Sequence, residues 1–153
     1  MAPIRAVAPA DAAEWLRLRL ALWPDDAAEE HRAAIEPLLS GTVPPPDPTL
    51  QAALVWVRPT GGLGGLIELG LRQYAEGCDD GPIAYLEGWY VDPDLRGTGV
   101  GRALVAAAEH WARRQGCRQL ASDAELDNLA SQAAHLRLGF QEVGRSVHFC
   151  KRL

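Results

Sequence analysis

The sequence predicts a single α+β domain over residues 1–153, a mixed and mostly antiparallel sheet flanked by helices. Three observations lead to it. The chain is 153 residues long with 48% hydrophobic and 23% charged residues, the size and composition of one globular unit. Apolar residues recur at helical spacing up to Pro24 and again beyond Val100, whereas between Leu50 and Val91 they alternate or run continuously, as in strands. A glycine-rich turn at 97–101 stands where the last strand-like run gives way to a helix.

The elements follow in order. Residues 4–7 alternate and form a short first strand. Asp11, with Glu14 three residues on, reads as a capping box, and Trp15, Leu18 and Leu22 repeat at helical spacing until Pro24, which cannot sit inside a helix. A second helix is expected over 26–39, with an acidic first turn and with Pro37 bending or shortening it. Residues 40–48 hold Pro44, Pro45 and Pro46 in a row and so lack three backbone donors, which predicts a stiff surface connection. Strands at 54–57 and 66–71 make a hairpin around a turn at 59–62. After a loop at 76–82 comes the most strand-like run, 83–91, interrupted at Gly88, where the missing side chain predicts a bulge or a close backbone approach. The glycine turn then opens an amphipathic helix that ends near Gln115. A short strand at 120–124, a helix at 128–138 and a bent strand or hairpin at 140–151 around Gly144 complete the chain.

Twenty acidic against fifteen basic residues give a net charge of -5, and Lys151 is the only lysine. That balance disfavours nucleic acid, whose binding draws on clustered positive charge, and it suits a cationic small molecule. Cys78, Cys117 and Cys150 are odd in number and widely spaced, without the pairs of a zinc site or the even count of a disulfide framework, so buried or idle thiols are expected. The longest apolar runs, 53–57 and 103–108, fall far short of the ~20 residues that cross a bilayer. With no signal-peptide pattern at the N-terminus, the expected location is the cytoplasm, away from membranes.

Arg96-Gly97-Thr98-Gly99-Val100-Gly101-Arg102 lies between a strand and a helix, where free backbone N–H groups and the helix dipole favour an anion. A pyrophosphate suits the place, with Arg96 and Arg102 adding charge-assisted contacts. The Walker pattern fails for want of Gly-Lys-Ser/Thr, and the dinucleotide pattern fails because Arg102 replaces its third glycine. The alternative is that these glycines only end a strand and cap a helix.

The run Leu86-Glu87-Gly88-Trp89-Tyr90-Val91-Asp92-Pro93-Asp94-Leu95-Arg96-Gly97-Thr98-Gly99-Val100-Gly101 resembles the strand and Arg/Gln-x-x-Gly-x-Gly turn of the GNAT N-acetyltransferases. Asn128, Ser131, His135 and Gly139-Phe140 are similar to that family's later helix, so the resemblance covers the whole chain. Within the family, Trp15-Leu16-Arg17-Leu18-Arg19, Leu22-Trp23, Ala121-Ser122-Asp123-Ala124 and Gly139-Phe140-Gln141-Glu142 resemble the aminoglycoside 6'-N-acetyltransferases.

The resemblance implies the GNAT acyl-CoA N-acyltransferase fold, splayed between its fourth and fifth strands, acetyl-CoA as cosubstrate, an aminoglycoside antibiotic as acceptor, a homodimer and no metal. It implies that the pantetheine arm bonds to the backbone of Trp89, Tyr90 and Val91. The pyrophosphate would rest on Arg96, Gly97, Thr98, Gly99, Val100, Gly101 and Arg102, and Asn128 would reach the thiol end. Attack by an amine on the thioester requires that the amine lose its proton, that the carbonyl be held by a donor and that the thiolate gain a proton. Glu87, a charge in an apolar strand, is the first candidate to receive the amine, and Asp123 the second; an ion pair with an arginine is the alternative for each. His135 stands where many relatives carry a tyrosine that protonates the thiolate, and is either that donor or a helix-face residue. Trp23, Asp26, Tyr74, Asp80 and Glu142 join Glu87 and Asp123 as substrate-binding candidates. Two other readings remain: an acetyltransferase for a polyamine or peptide N-terminus, and a non-catalytic acyl-CoA sensor.

Overall fold

A computed structural model describes residues 3–42 and 50–153. From residue 43 on, the proline-rich connection lies outside the described residues. Helix α1 (Ala12–Leu22) buries Trp15 and Leu18 completely and ends before Pro24. Its expected capping box does not form. Asp11 accepts instead from Arg5 and from the Ala8 N–H at 2.8 Å, closing a 3-10 turn over Pro9–Asp11, while Glu14 turns to Arg17 and the Leu63 N–H. Helix α2 (Ala28–Ser40) passes through Pro37 without stopping and ends at Gly41, whose φ of 68° is the left-handed conformation that glycine supplies at helix ends.

Among the described residues five strands form one sheet in chain order: β1 (Ile4–Ala6), β2 (Ala52–Val57), β3 (Leu63–Arg72), β4 (Ile83–Val91) and β5 (Leu120–Ser122). The first four are antiparallel neighbours, and β5 runs parallel to β4 after the crossover helix α3 (Val100–Arg114). Alternation along β3 divides the core. Ile67 and Leu69 face α3 with its Val100, Leu104, Val105 and Ala108, while Leu66, with Val55 of β2, packs against Trp15, Leu18 and Ile35 from α1 and α2. The sheet is therefore a middle layer, each face covered by helices.

Two irregularities shape the middle of the sheet. Between Leu86↔Leu69 and Gly88↔Glu68, β4 has one residue more than β3, so Glu87 is a β-bulge. The parallel pairing of β4 with β5 stops after Ala84↔Leu120, Tyr85↔Ala121 and Leu86↔Ser122, leaving the far half of β4 without a neighbour on that side among the described residues.

Residues 140–151, expected as a strand or hairpin, are neither. Beyond helix α4 (Leu129–Arg137) the chain makes no strand pairing, although Val143, Val147 and Phe149 alternate as in a strand and lie exposed. The pattern is that of a strand, but a strand forms only against a partner, and among the described residues none pairs with it.

Asp92, just past β4, is a buried tie. Arg17 of α1 reaches both of its oxygens at 3.0 and 3.1 Å, and Arg58 of the hairpin turn donates to Oδ2 at 2.9 Å. Burial raises the Asp92 carboxyl, but the hydrogen bonds and charges of Arg17 and Arg58 outweigh it and leave the group below its ordinary 3.8. Because the folded value is the lower one, the stability it contributes is complete above pH 3.8 and is lost as pH falls through the folded value. Asp92→Asn is expected to cost about 2 kcal/mol at neutral pH and to flatten the acid limb below about pH 4. Urea unfolding followed across that range checks both.

Candidate functional site

The glycine turn is built to present donors. Gly97 and Gly99 have φ of 75° and 96°, and a Cβ at either would meet nothing within 4 Å, so conformation rather than crowding requires glycine there. Thr98 spends its hydroxyl on the Leu95 carbonyl at 2.6 Å. Gly99 is the N-cap of α3 with no side chain capping it, and the first intrahelical bond is Ala103 N–H to the Gly99 carbonyl. The N–H groups of Val100, Gly101 and Arg102 therefore have no partner inside the helix. Arg96 donates to the Val91 carbonyl at 2.9 Å and lies over the Tyr90 ring, while Arg102 is exposed. Open N–H groups, a 15-residue helix dipole and two arginines suit a diphosphate.

The splayed half of β4 leads to this turn. Trp89 lies on the α3 face against Gly101, where a Cβ would come within 3.1 Å of the indole. Its indole N–H is buried without an acceptor among the described residues, a cost that a ligand group entering the splay would remove. The unpaired backbone edge and this orphan donor fit an extended, amide-bearing arm.

The opposite face of the sheet holds the acids. The bulge places Glu87 and Gly88 on the side of α1, and the bare Gly88 admits Trp23, whose Cη2 would lie 2.7 Å from any Cβ there. Arg72 grips Glu87 with two bonds, Nε to Oε1 at 3.1 Å and the terminal nitrogen to Oε2 at 2.7 Å. The same guanidinium lies 3.4 Å over the Tyr85 ring, and the Tyr85 hydroxyl donates to Asp123. Burial, then the bond to Asp123 and its charge, push the Tyr85 phenol well above its usual range, so it stays a donor. Glu87 and Asp123 thus belong to one network, with lone pairs left over for a cation.

His135 stands at the edge of the splay, edge-on to Trp89 and Phe140. Its Nδ1 is 2.7 Å from the Ser131 carbonyl and must donate to it, which leaves Nε2 facing the Ser122 hydroxyl at 2.7 Å. Asn128 caps α4 through Oδ1, 3.1 Å from the Ser131 N–H, and keeps its amide NH2 as a donor.

Trp23, Glu87 and Asp123 lie on one face, and Trp89 to Arg102 form a continuous path. Four other candidates lie outside that network, although the Asp26 N–H donates to the Trp23 carbonyl at 3.3 Å. Asp26 is exposed after α1. Tyr74 is 71% exposed and donates to Glu76. Asp80 sits beyond the start of β4 in a depression with Arg118 and Gln119. Glu142 is exposed and paired with Arg145. Sequence reasoning missed Arg72, Tyr85 and Ser122, and beneath Trp23 it missed Arg19, His31 and Glu68. Glu68 carried the same signal as Glu87, one charge inside an apolar strand. The others depend on pairing across strands and helices that no local pattern displays.

A family model described as the acetyltransferase (GNAT) family matches residues 13–140. The chain is 49% identical over 150 residues, covering 98% of itself and 96% of its relative, to an aminoglycoside N(6')-acetyltransferase type 1 of Klebsiella aerogenes. It is 43% identical to one of Stenotrophomonas maltophilia, covering 95% and 90%. In structure it is similar to AAC(6')-Iy in complex with the bisubstrate analogue CoA-S-monomethyl-acetylneamine, with a TM-score of 0.86, 33% identity and coverage of 98% and 97% of the two chains. A donor turn at the head of α3, a strand released from its neighbour and this likeness along nearly the whole length lead to one conclusion: the chain belongs to the GNAT acetyltransferase family.

Proposed function

We infer that this chain is an acetyl-CoA-dependent aminoglycoside 6'-N-acetyltransferase, moving the acetyl group to the drug's 6'-amine by direct attack and so conferring resistance. The observation that carries the reading is the split strand: the open half of β4 meets the donor turn at one end and, at the bulge where the β5 pairing stops, the linked carboxylates Glu87 and Asp123 at the other. When bound, acetyl-CoA supplies the activated acyl group. The backbone N–H groups at the head of α3, with Arg96 and Arg102, hold its diphosphate, and the open edge at Trp89, Tyr90 and Val91 takes its amide-bearing arm. The main chain beside Trp89 holds the carbonyl.

Glu87 and Asp123 receive the protonated amine, and one of them takes a proton, directly or through water, as the nitrogen attacks. Arg72 and Tyr85 fix the orientation of both acids without using all their lone pairs. The proton for the thiolate comes from His135 as the imidazolium: the bare Nε2, beside the Ser122 hydroxyl, first takes a proton from solvent and then gives it to the departing sulfur. Trp23 offers a flat wall for a sugar ring, and Asp26, Tyr74, Asp80 and Glu142 remain candidates for the rim of a longer acceptor. The reading carries a cytoplasmic location, where acetyl-CoA is made.

The reading also carries a homodimer. Val143, Val147 and Phe149 share one register, with Arg145, on a segment that no described strand covers, and β5 ends the sheet with an unpaired edge among the described residues. A second copy, which brings both the same segment and the same edge, is the occupant that satisfies each.

Three measurements test this. With acetyl-CoA and a panel of aminoglycosides, CoA release is expected from drugs bearing a 6'-amine and not from their 6'-hydroxyl counterparts; equal turnover on both would overturn the regiochemistry. Glu87→Gln is expected to lower kcat/KM about 100-fold, mainly in kcat, with the KM for acetyl-CoA unchanged. Light scattering after size exclusion is expected to give twice the chain mass, and Phe149→Asp to shift the protein toward monomer; a wild-type monomer at micromolar concentration would remove the dimer.

A further inference from the structure

Beneath the acceptor face lies a polar cluster that takes no part in the acetyl transfer itself. Glu68 on β3 is 2% exposed and His31 on α2 is 2% exposed, both among apolar neighbours. Trp15 donates its indole N–H to Glu68 Oε1 at 2.7 Å, and a terminal nitrogen of Arg19 stands 3.3 Å from Oε2. The Nε of Arg19 then donates to His31 Nδ1 at 3.2 Å. A guanidinium has only donors, so Nδ1 carries no proton and the ring proton is on Nε2. That nitrogen faces the Trp23 carbonyl at 3.3 Å and donates to it.

Two members of the cluster, Arg19 and His31, reach Trp23 directly, and Glu68 acts on it through Arg19. The Trp23 carbonyl is held by His31 and its N–H by the Arg19 carbonyl at 2.8 Å. Its ring stacks on the His31 imidazole, with centroids 6.1 Å apart and planes 21° from parallel, and the Arg19 guanidinium lies 5.0 Å from its centroid. The edge of the ring, at Cη2 and Cζ2, meets Gly88, next to Glu87. Burying a charge pair and an imidazole costs more than apolar side chains of the same volume would. What the cluster adds is direction: it fixes one orientation of an indole at the end of a helix, where the chain is about to turn away.

We propose that Arg19, His31 and Glu68 are positioning residues that hold Trp23 against Gly88 and thereby set the enzyme's affinity for the acceptor sugar. The proposal rests on the reading of Trp23 as a wall of the acceptor cleft. None of the three touches the substrate; they act through the indole, so loosening them weakens sugar binding while the donor side is unaffected.

A double-mutant cycle tests this, read as KM for a 6'-amino aminoglycoside and KM for acetyl-CoA. Trp23→Ala is expected to raise the sugar KM about tenfold or more. His31→Phe keeps the buried ring but loses both hydrogen bonds, and is expected to raise the sugar KM about tenfold with the acetyl-CoA KM unchanged. His31→Gln, which can still accept from Arg19 and donate to Trp23, restores most of that loss. Combined with Trp23→Ala, His31→Phe adds nothing further. If Trp23→Ala leaves the sugar KM unchanged, the reading of the cleft wall fails. If Trp23→Ala raises it but His31→Phe does not, or adds its full effect on top, the positioning role fails. Should His31→Phe not fold, Arg19→Lys, which keeps a charge against Glu68 but has no Nε to offer His31, replaces it in the same cycle with the same expected and contrary outcomes.

Discussion

Among the described residues one strand, β4, is paired along its full length on one side and for only three residues on the other. Backbone N–H and C=O groups that find no partner are costly when they are shielded from water, so a sheet with this defect must either close the gap or use it. Here the helices prevent closure. Helix α3 leaves the end of β4 through the glycine turn and returns to place β5 alongside its beginning, and His135 of α4 packs edge-on to Trp89 and 2.7 Å from the Ser122 hydroxyl, at the point where the pairing stops. The gap therefore has a donor-rich turn at one end and a bulge at the other. The bulge is what joins the two faces: by taking an extra residue at Glu87 it puts an acid and a bare glycine on the α1 side, and it returns Trp89 to the α3 side.

The two faces are built from different materials. Against α3 the sheet presents Ile67, Leu69, Ala84 and Leu86, an apolar layer that fixes the position of the turn by close packing. Against α1 and α2 the apolar layer of Trp15, Leu18 and Leu66 gives way, toward the bulge, to Glu68, Arg19 and His31, and then to Glu87, Arg72 and Asp123. Packing holds the donor side, where the proposed reading has the ligand met mostly by main chain. Hydrogen bonds of defined direction hold the acceptor side, where side chains must meet particular nitrogens. Asp92 ties the two by binding Arg17 of α1 just before the turn begins.

Much of this was legible in the sequence because it is local. The period change at Leu50, the turn between strand and helix and the interruption at Gly88 each mark a feature the structure contains, and Glu87 stood out as a charge in an apolar strand. Asp11 and Glu14 show where local reading fails: the spacing of a capping box was present, but Arg5 and the Leu63 N–H competed for the two acids and won. The tail fails for a different reason. Residues 143–149 have the alternation of a strand, and alternation specifies a face without supplying a neighbour. Arg72 was invisible because its meaning lies in a register, opposite Ile83 at the far end of a hairpin pair, from which only a long side chain reaches back to Glu87.

The pairing of Arg72 with Glu87 also bears on how a polycation is held. Two unit charges 4 Å apart interact by about 4 kcal/mol at an effective dielectric of 20, but a carboxylate already paired with a guanidinium presents little net charge to a third ion. Glu87 is therefore a poor source of long-range attraction and a good source of direction, since two of its lone pairs are fixed by Arg72 and the others point where those bonds leave them. Attraction must come instead from acids without such a partner. The surplus of carboxylates over cations in the chain provides them, Asp123 among them, whose partner Tyr85 is neutral. On the proposed reading, binding strength and amine placement are thus carried by different acids, and a change at Glu87 is expected to act on the attacking nitrogen more than on the grip on the drug.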